Sequence, residues 1–182
     1  MLEEVAHTGR VLAGTKPIGV AVEIATDVPQ WVIGDSGRLY QVLLNFVGNA
    51  AKFTERGRIT CRAARPDPGR HPDRLRLEVV DTGPGIPAGQ AERLFEPFER
   101  AQHPERDPVA GAGLGLAISR RFVSLMGGTI GLDNAPDGGT IAWIEVDLPP
   151  TAPPQAAPAG PTRRRRRAGA SWWPRTRRPR SW

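Results

Sequence analysis

Residues 43–54 read LLNFVGNAAKFT. In and around that run, Leu39, Val42, Leu43, Phe46, Val47 and Ala50 recur at the spacing of an amphipathic helix, with Arg38, Gln41, Asn45, Asn49 and Lys52 on the opposite stripe. Asn45, Asn49 and Lys52 stand four and three residues apart, so one helix face presents two amides and an ammonium. Amide oxygens are hard ligands suited to Mg²⁺, and a lysine can neutralise phosphate charge. A plain solvated face has the same composition, so the stripe alone leaves both readings open.

Upstream, residues 1–14 have the composition of a helix end, stopped by Gly14 and Pro17. Ile18, Val20, Val22 and Ile24 alternate with smaller or polar residues, the period of a half-buried strand, and the turn Gly34-Asp35-Ser36 leads into the helix. Downstream, Gly57 ends the helical region, and residues 58–64 and 75–80 are strand-like runs around a polar loop. Glycine and proline dominate residues 81–113, a long functional loop with a short helix expected over 90–95. A second helix is expected over 114–126, stopped by Gly127-Gly128, and a closing hairpin over 129–132 and 140–148. This order predicts an α+β domain, a two-layer sandwich whose mixed sheet is covered on one face by helices.

Three further segments carry chemistry. In VVDTGPGIP, Asp81 ends an apolar strand, where a carboxylate can accept a hydrogen bond from the exocyclic amine of adenine; an ordinary turn after a strand reads the same way. Gly83 and Gly85 permit close approach of a ligand, and Pro84 and Pro87 stiffen the turn. In LFEPFER, Phe95 and Phe98 flank Pro97 and are expected to anchor a loop by burying both rings. In GAGLGLAIS, Gly111, Gly113 and Gly115 lead into a helix, so bare main-chain N–H groups can meet phosphate oxygens at its N-terminus. A dinucleotide fingerprint would follow a strand directly, whereas a long loop precedes these glycines.

Taken in order, these segments resemble the N box, first glycine box, F box and second glycine box of the sensor histidine kinase ATP-binding domain. The resemblance covers about residues 2–149 and includes Gly34-Asp35, Arg38-Leu39 and Gly139-Thr140. It implies the Bergerat sandwich shared with gyrase, Hsp90 and MutL proteins. It also implies ATP and Mg²⁺ as cofactors, with Asn49 as the metal ligand, Asn45 its neighbour on the same face, and Lys52 a phosphate contact. Asn45 and Lys52 would be the catalytic residues. Phe53 would pack on adenine, Asp81 would bind its amino group, and Gly83 and Gly85 would shape the base pocket. Gly111, Gly113, Leu114, Gly115 and Leu116 would close over the phosphates, and Thr140 would lie near the base. In the related ATPases a glutamate stands at position 45 and activates water; an amide cannot take a proton, which favours a kinase over an ATPase.

The same resemblance divides the chain into residues 1–14, the end of a linker helix from a dimerisation domain; 15–149, the catalytic domain; and 150–182, a Pro/Ala linker with an Arg/Trp-rich tail. The partners implied are a histidine-bearing dimerisation domain and, through it, a response regulator. His7 is followed by Thr8-Gly9 rather than an acid and is rejected as the phospho-acceptor, while His71 and His103 fall in polar loops.

Composition limits the remaining choices. The chain has 182 residues, 39% of them hydrophobic, enough for one sizeable core. Cys61 is the single cysteine, which excludes an intramolecular disulfide or a thiol cluster. No long apolar run marks a membrane segment, and a monomeric, cytoplasmic module is expected. The net charge of +6 is local: nine arginines lie beyond position 150, leaving 16 basic against 19 acidic residues before it. Arginines interleaved with Trp172, Trp173 and Trp182 could bind nucleic acid or an anionic membrane. The favoured alternative is translation out of frame. Back-translating residues 170–176 one nucleotide out of register permits Gly-Val-Leu-Val-Ala-Glu-Asp, similar to the first strand and acidic pair of a receiver domain, and no specific nucleic-acid partner is expected.

Overall fold

The computed structural model describes residues 1–99 and 113–153. The elements are helix α1 (Leu2–Ala13), strand β1 (Ile18–Ile24), helix α2 (Ser36–Phe53), strands β2 (Gly57–Ala64) and β3 (Arg74–Asp81), a 3-10 turn (Arg93–Phe95), helix α3 (Gly115–Leu125), and strands β4 (Thr129–Asn134) and β5 (Thr140–Asp147). The folded unit spans Met1–Ala152. Gly111, His103 and the Arg/Trp-rich segment lie outside the described residues.

Helix α2 begins where the Asp35 side chain accepts the N–H of Arg38 at 3.0 Å, a cap worth about 1 kcal/mol. It buries Leu39, Val42, Leu43, Phe46, Val47, Ala50 and Ala51, the apolar stripe of the sequence with one alanine added. Phe46 is at its centre, and burying such a ring stabilises by about 1.5–3 kcal/mol. Thr54 ends the helix in extended conformation.

The five strands lie in the order β1-β2-β3-β5-β4. Strand β1 runs parallel to β2, and the remaining neighbours are antiparallel. Parallel neighbours need a long crossover, and α2 supplies it. Helices α1 and α2 pack on β1, β2 and β3, and α3 packs beside α2 on β4. Cys61 faces Val79 across the ladder and Leu77 faces Ile144, all four buried. The alternation along β3 buries Leu75, Leu77, Val79 and Asp81 on the same side. The period that builds the core therefore also delivers a carboxylate to its edge. On the intermediate positions of the sheet, Arg76 pairs with Glu78 and Glu145 and lies 4.1 Å from the ring centroid of Trp143.

Two expectations change around residue 95. The short helix contracts from its start to the 3-10 turn Arg93–Phe95 and ends at Phe95 as expected, with Glu96 extended ahead of Pro97. Phe95 is buried as expected, but Phe98 is 73% exposed. Its φ of 68° turns the chain left-handed, and its N–H donates to the Gly113 carbonyl at 3.0 Å, so its ring faces solvent rather than the core.

Candidate functional site

Asp81 ends β3 and is 7% exposed. Its Oδ1 accepts the N–H of Gly83 at 2.8 Å and of Thr140 at 3.3 Å, and among the described residues Oδ2 accepts none. Burial raises the carboxyl above the ordinary aspartate range, and the two main-chain N–H groups pull it partly back. One oxygen is engaged by the protein; the other is left for a donor from outside.

The loop after Asp81 is held from two sides. Asn134, at the end of β4, accepts the Ile86 N–H through Oδ1 at 2.6 Å and donates from Nδ2 to the Ile86 carbonyl at 2.8 Å. Gly139 has φ 98°, and a Cβ there would stand 2.0 Å from the Asp81 carbonyl oxygen, so the β4–β5 turn closes against the strand end only with glycine. A Cβ on Gly83 would meet Asp81 Oδ1 at 2.9 Å and Thr54 Oγ1 at 3.2 Å, and one on Gly85 would meet Asn134 Oδ1 at 2.8 Å. Thr54 is fully buried, and its hydroxyl has no hydrogen-bond partner among the described residues.

Helix α2 carries the second group. Asn45 donates from Nδ2 to Ser119 Oγ at 3.1 Å, and its Oδ1 lies 2.2 Å from where a Cβ on Gly115 would be. Asn49, one turn on and half-buried, makes no side-chain hydrogen bond among the described residues. Lys52 Nζ lies 4.9 Å from the ring centroid of Phe53. Gly113 adopts φ 69° and leads to Leu114, which starts α3 without a side-chain cap, so the first N–H groups of that helix have no side-chain acceptor there. Leu116 packs against the core.

The structure thus joins Asp81, Gly83, Gly85 and Thr140 near the Phe53 carbonyl, and Asn45 with Gly115, the two groups sharing α2. Three contributors went unread in the sequence, Thr54, Ser119 and Asn134, and Gly139 was read only as part of the resemblance, without a role. Thr54 and Ser119 look like ordinary helix residues, and Asn134 and Gly139 like ordinary turn residues; only the Gly138-Gly139 pair signals a special backbone. As to a divalent ion, no cluster of three His, Cys, Asp or Glu side chains able to hold one exists among the described residues. The Asn49 amide fits the alternative, a magnesium ion held by one protein oxygen and by ligand phosphates.

Residues 34–150 match the family model described as Histidine kinase-, DNA gyrase B-, and HSP90-like ATPase. The sensory/regulatory protein RpfC of Xanthomonas campestris is 43% identical over 128 residues, 69% of this chain and 18% of that protein. The chain therefore spans less than a fifth of that relative's length. Among solved structures, full-length ShkA in complex with AMPPNP superposes with a TM-score of 0.70 at 37% identity, covering 85% of this chain and 30% of ShkA. The mycobacterial sensor histidine kinase MprB gives 0.68 at 31% identity, covering 82% of this chain and 95% of the other. The chain belongs to the histidine kinase, gyrase B and HSP90-like ATPase family. Within it, the folded unit is an ATP-binding catalytic domain of the sensor histidine kinase type.

Proposed function

We propose that this chain binds Mg-ATP and presents the γ-phosphate to a histidine on a separate dimerisation domain, from which a response regulator is then phosphorylated. The observation that carries the reading is Asp81: a buried carboxylate fixed through Oδ1, with Oδ2 left to accept a purine amino group. The nucleotide analogue bound to ShkA supports the same assignment. Phe53 covers the base, and Gly83 and Gly85 give it room beside Thr140. Lys52 meets phosphate charge, as do the N–H groups at the start of α3 around Gly113, Leu114 and Gly115, with Gly111 and Leu116 completing the cover. Asn49 would hold the metal, which would supply positive charge to offset that of the phosphates.

In the transfer itself, an imidazole nitrogen of the acceptor bonds to the γ-phosphorus as its bond to the β–γ bridging oxygen breaks, and ADP leaves. The chain's part is positioning and charge neutralisation. Asn45 is tied to Ser119 and has no basic site to activate water, which separates this reading from a gyrase-type ATPase. No helix among the described residues is long and apolar enough to cross a membrane.

The test is calorimetric titration of the full chain with ATP, with and without Mg²⁺, followed by labelled ATP with and without a separate histidine-bearing domain. Binding that needs Asp81, and label that appears on the added domain but not on this chain, is expected. Acid-labile phosphohistidine on this chain alone, or steady phosphate release abolished by Asn49→Ala, would overturn it.

A further inference from the structure

Lys16 lies between α1 and β1, in a segment that the nucleotide-contacting residues do not include. Its Nζ donates to three main-chain oxygens at the end of α2: Ala51 at 2.9 Å, Lys52 at 3.1 Å and Thr54 at 3.0 Å. Glu55 stands 3.6 Å away and balances the charge. The last carbonyls of a helix have no donors within it, and an ammonium there also meets the negative end of the helix dipole. Lys16 is itself anchored, its N–H donating to the Ala13 carbonyl at 3.0 Å and its carbonyl accepting the Ile18 N–H at 2.8 Å. One ammonium thus joins the exit of α1 to the final turn of α2, and the carbonyls it grips bracket Lys52 and Phe53.

We propose that Lys16 is a positioning residue for nucleotide binding. It holds the main chain of residues 51–54 so that the Lys52 ammonium and the Phe53 ring point correctly, and it links that geometry to α1. The proposal rests on the nucleotide reading above. The contacts of the Lys16 side chain run to carbonyls and Glu55, so it acts through its neighbours rather than on the ligand.

The test compares four full-length chains: wild type, Lys16→Met, Lys16→Arg and Val146→Ala. Val146 is buried and pairs with Leu75 at the opposite end of β3 from Asp81, so its truncation lowers thermal stability away from the α2 carbonyls that Lys16 grips. Mg-ATP affinity is measured well below each melting point. Lys16→Met should bind about tenfold more weakly, Lys16→Arg should recover to within about twofold, and Val146→Ala should bind like wild type. Wild-type affinity in Lys16→Met, or an equal loss in Val146→Ala, would overturn the proposal. Failure of the wild type itself to bind would instead overturn the nucleotide reading, and this proposal with it.

Discussion

The side chain of Asn45 reaches from α2 to Ser119 on α3, Nδ2 to Oγ 3.1 Å, while the oxygen of the same amide fills the space beside Gly115. A single amide therefore couples the helix of the N box to the first turns of the helix that follows the glycine-rich loop. Its orientation is set by a donor requirement on one side and by a missing methyl on the other.

Gly115→Ala would place a Cβ 2.2 Å from Asn45 Oδ1 and push that amide out of position. We expect about a tenfold weaker affinity for Mg-ATP by fluorescence titration. Ser119→Ala leaves the amide donor without its acceptor, costing about 1–3 kcal/mol in a denaturant melt with a smaller effect on binding. Unchanged ATP affinity in Gly115→Ala would dissociate Asn45 from the nucleotide.

Asp81→Asn keeps an oxygen for Gly83 and Thr140 but turns the outward atom into a donor, which would oppose a purine amino group. Affinity for ATP should fall about 10- to 100-fold. Stability should move the other way. A carboxyl with a raised folded-state pKa favours folding at low pH and loses that contribution as pH rises through the raised value, so at neutral pH the buried charge is a burden that the amide removes. A higher Tm at pH 7, with the gain vanishing in acid, is the expected melt; a lower Tm at pH 7 would count against it.

Gly139→Ala adds an atom 2.0 Å from the Asp81 carbonyl oxygen at φ 98°. Strain and displacement together should cost on the order of 3 kcal/mol or more, read as a shift in the urea midpoint. A midpoint near that of wild type would show that the β4–β5 turn can move away from β3.

Cys61 is fully buried between β1 and β3, and burial pushes its thiol up to about 11. As the single cysteine, it should react with a disulfide reagent at pH 8 only when the sheet opens. Labelling should therefore track unfolding and slow when ATP is added. Labelling as fast as that of a free thiol would contradict the packing.

The fold was legible wherever burial is periodic. The stripe from Leu39 to Ala50 and the alternation from Ile18 to Ile24 each admit one regular structure, and strand ends moved by one or two residues at most, the largest shift extending β4 from 132 to Asn134. The parallel pairing of β1 with β2 was not legible, since it depends on a crossover rather than on either strand. Phe98 misled because spacing reports which rings could share a face, and a left-handed residue after Pro97 changes that face. In the site, Asp81 announced itself as a carboxylate closing an apolar strand. Ser119 and Asn134 did not, because each acts through a partner far away in sequence: Asn45 for one, Ile86 for the other.

The last strand of this sheet in chain order, Thr140–Asp147, does not sit at its rim but between β3 and β4. A nascent chain that has reached only residue 135 would already carry its helices and the residues of β1 to β4, yet β3 would still show a bare edge along Leu77 and Val79. Sticky, strand-hungry edges of this kind recruit one another. Ribosomes stalled inside the β4–β5 turn should thus yield precipitating fragments, whereas release a dozen residues later lets β5 cover the open edge of β3.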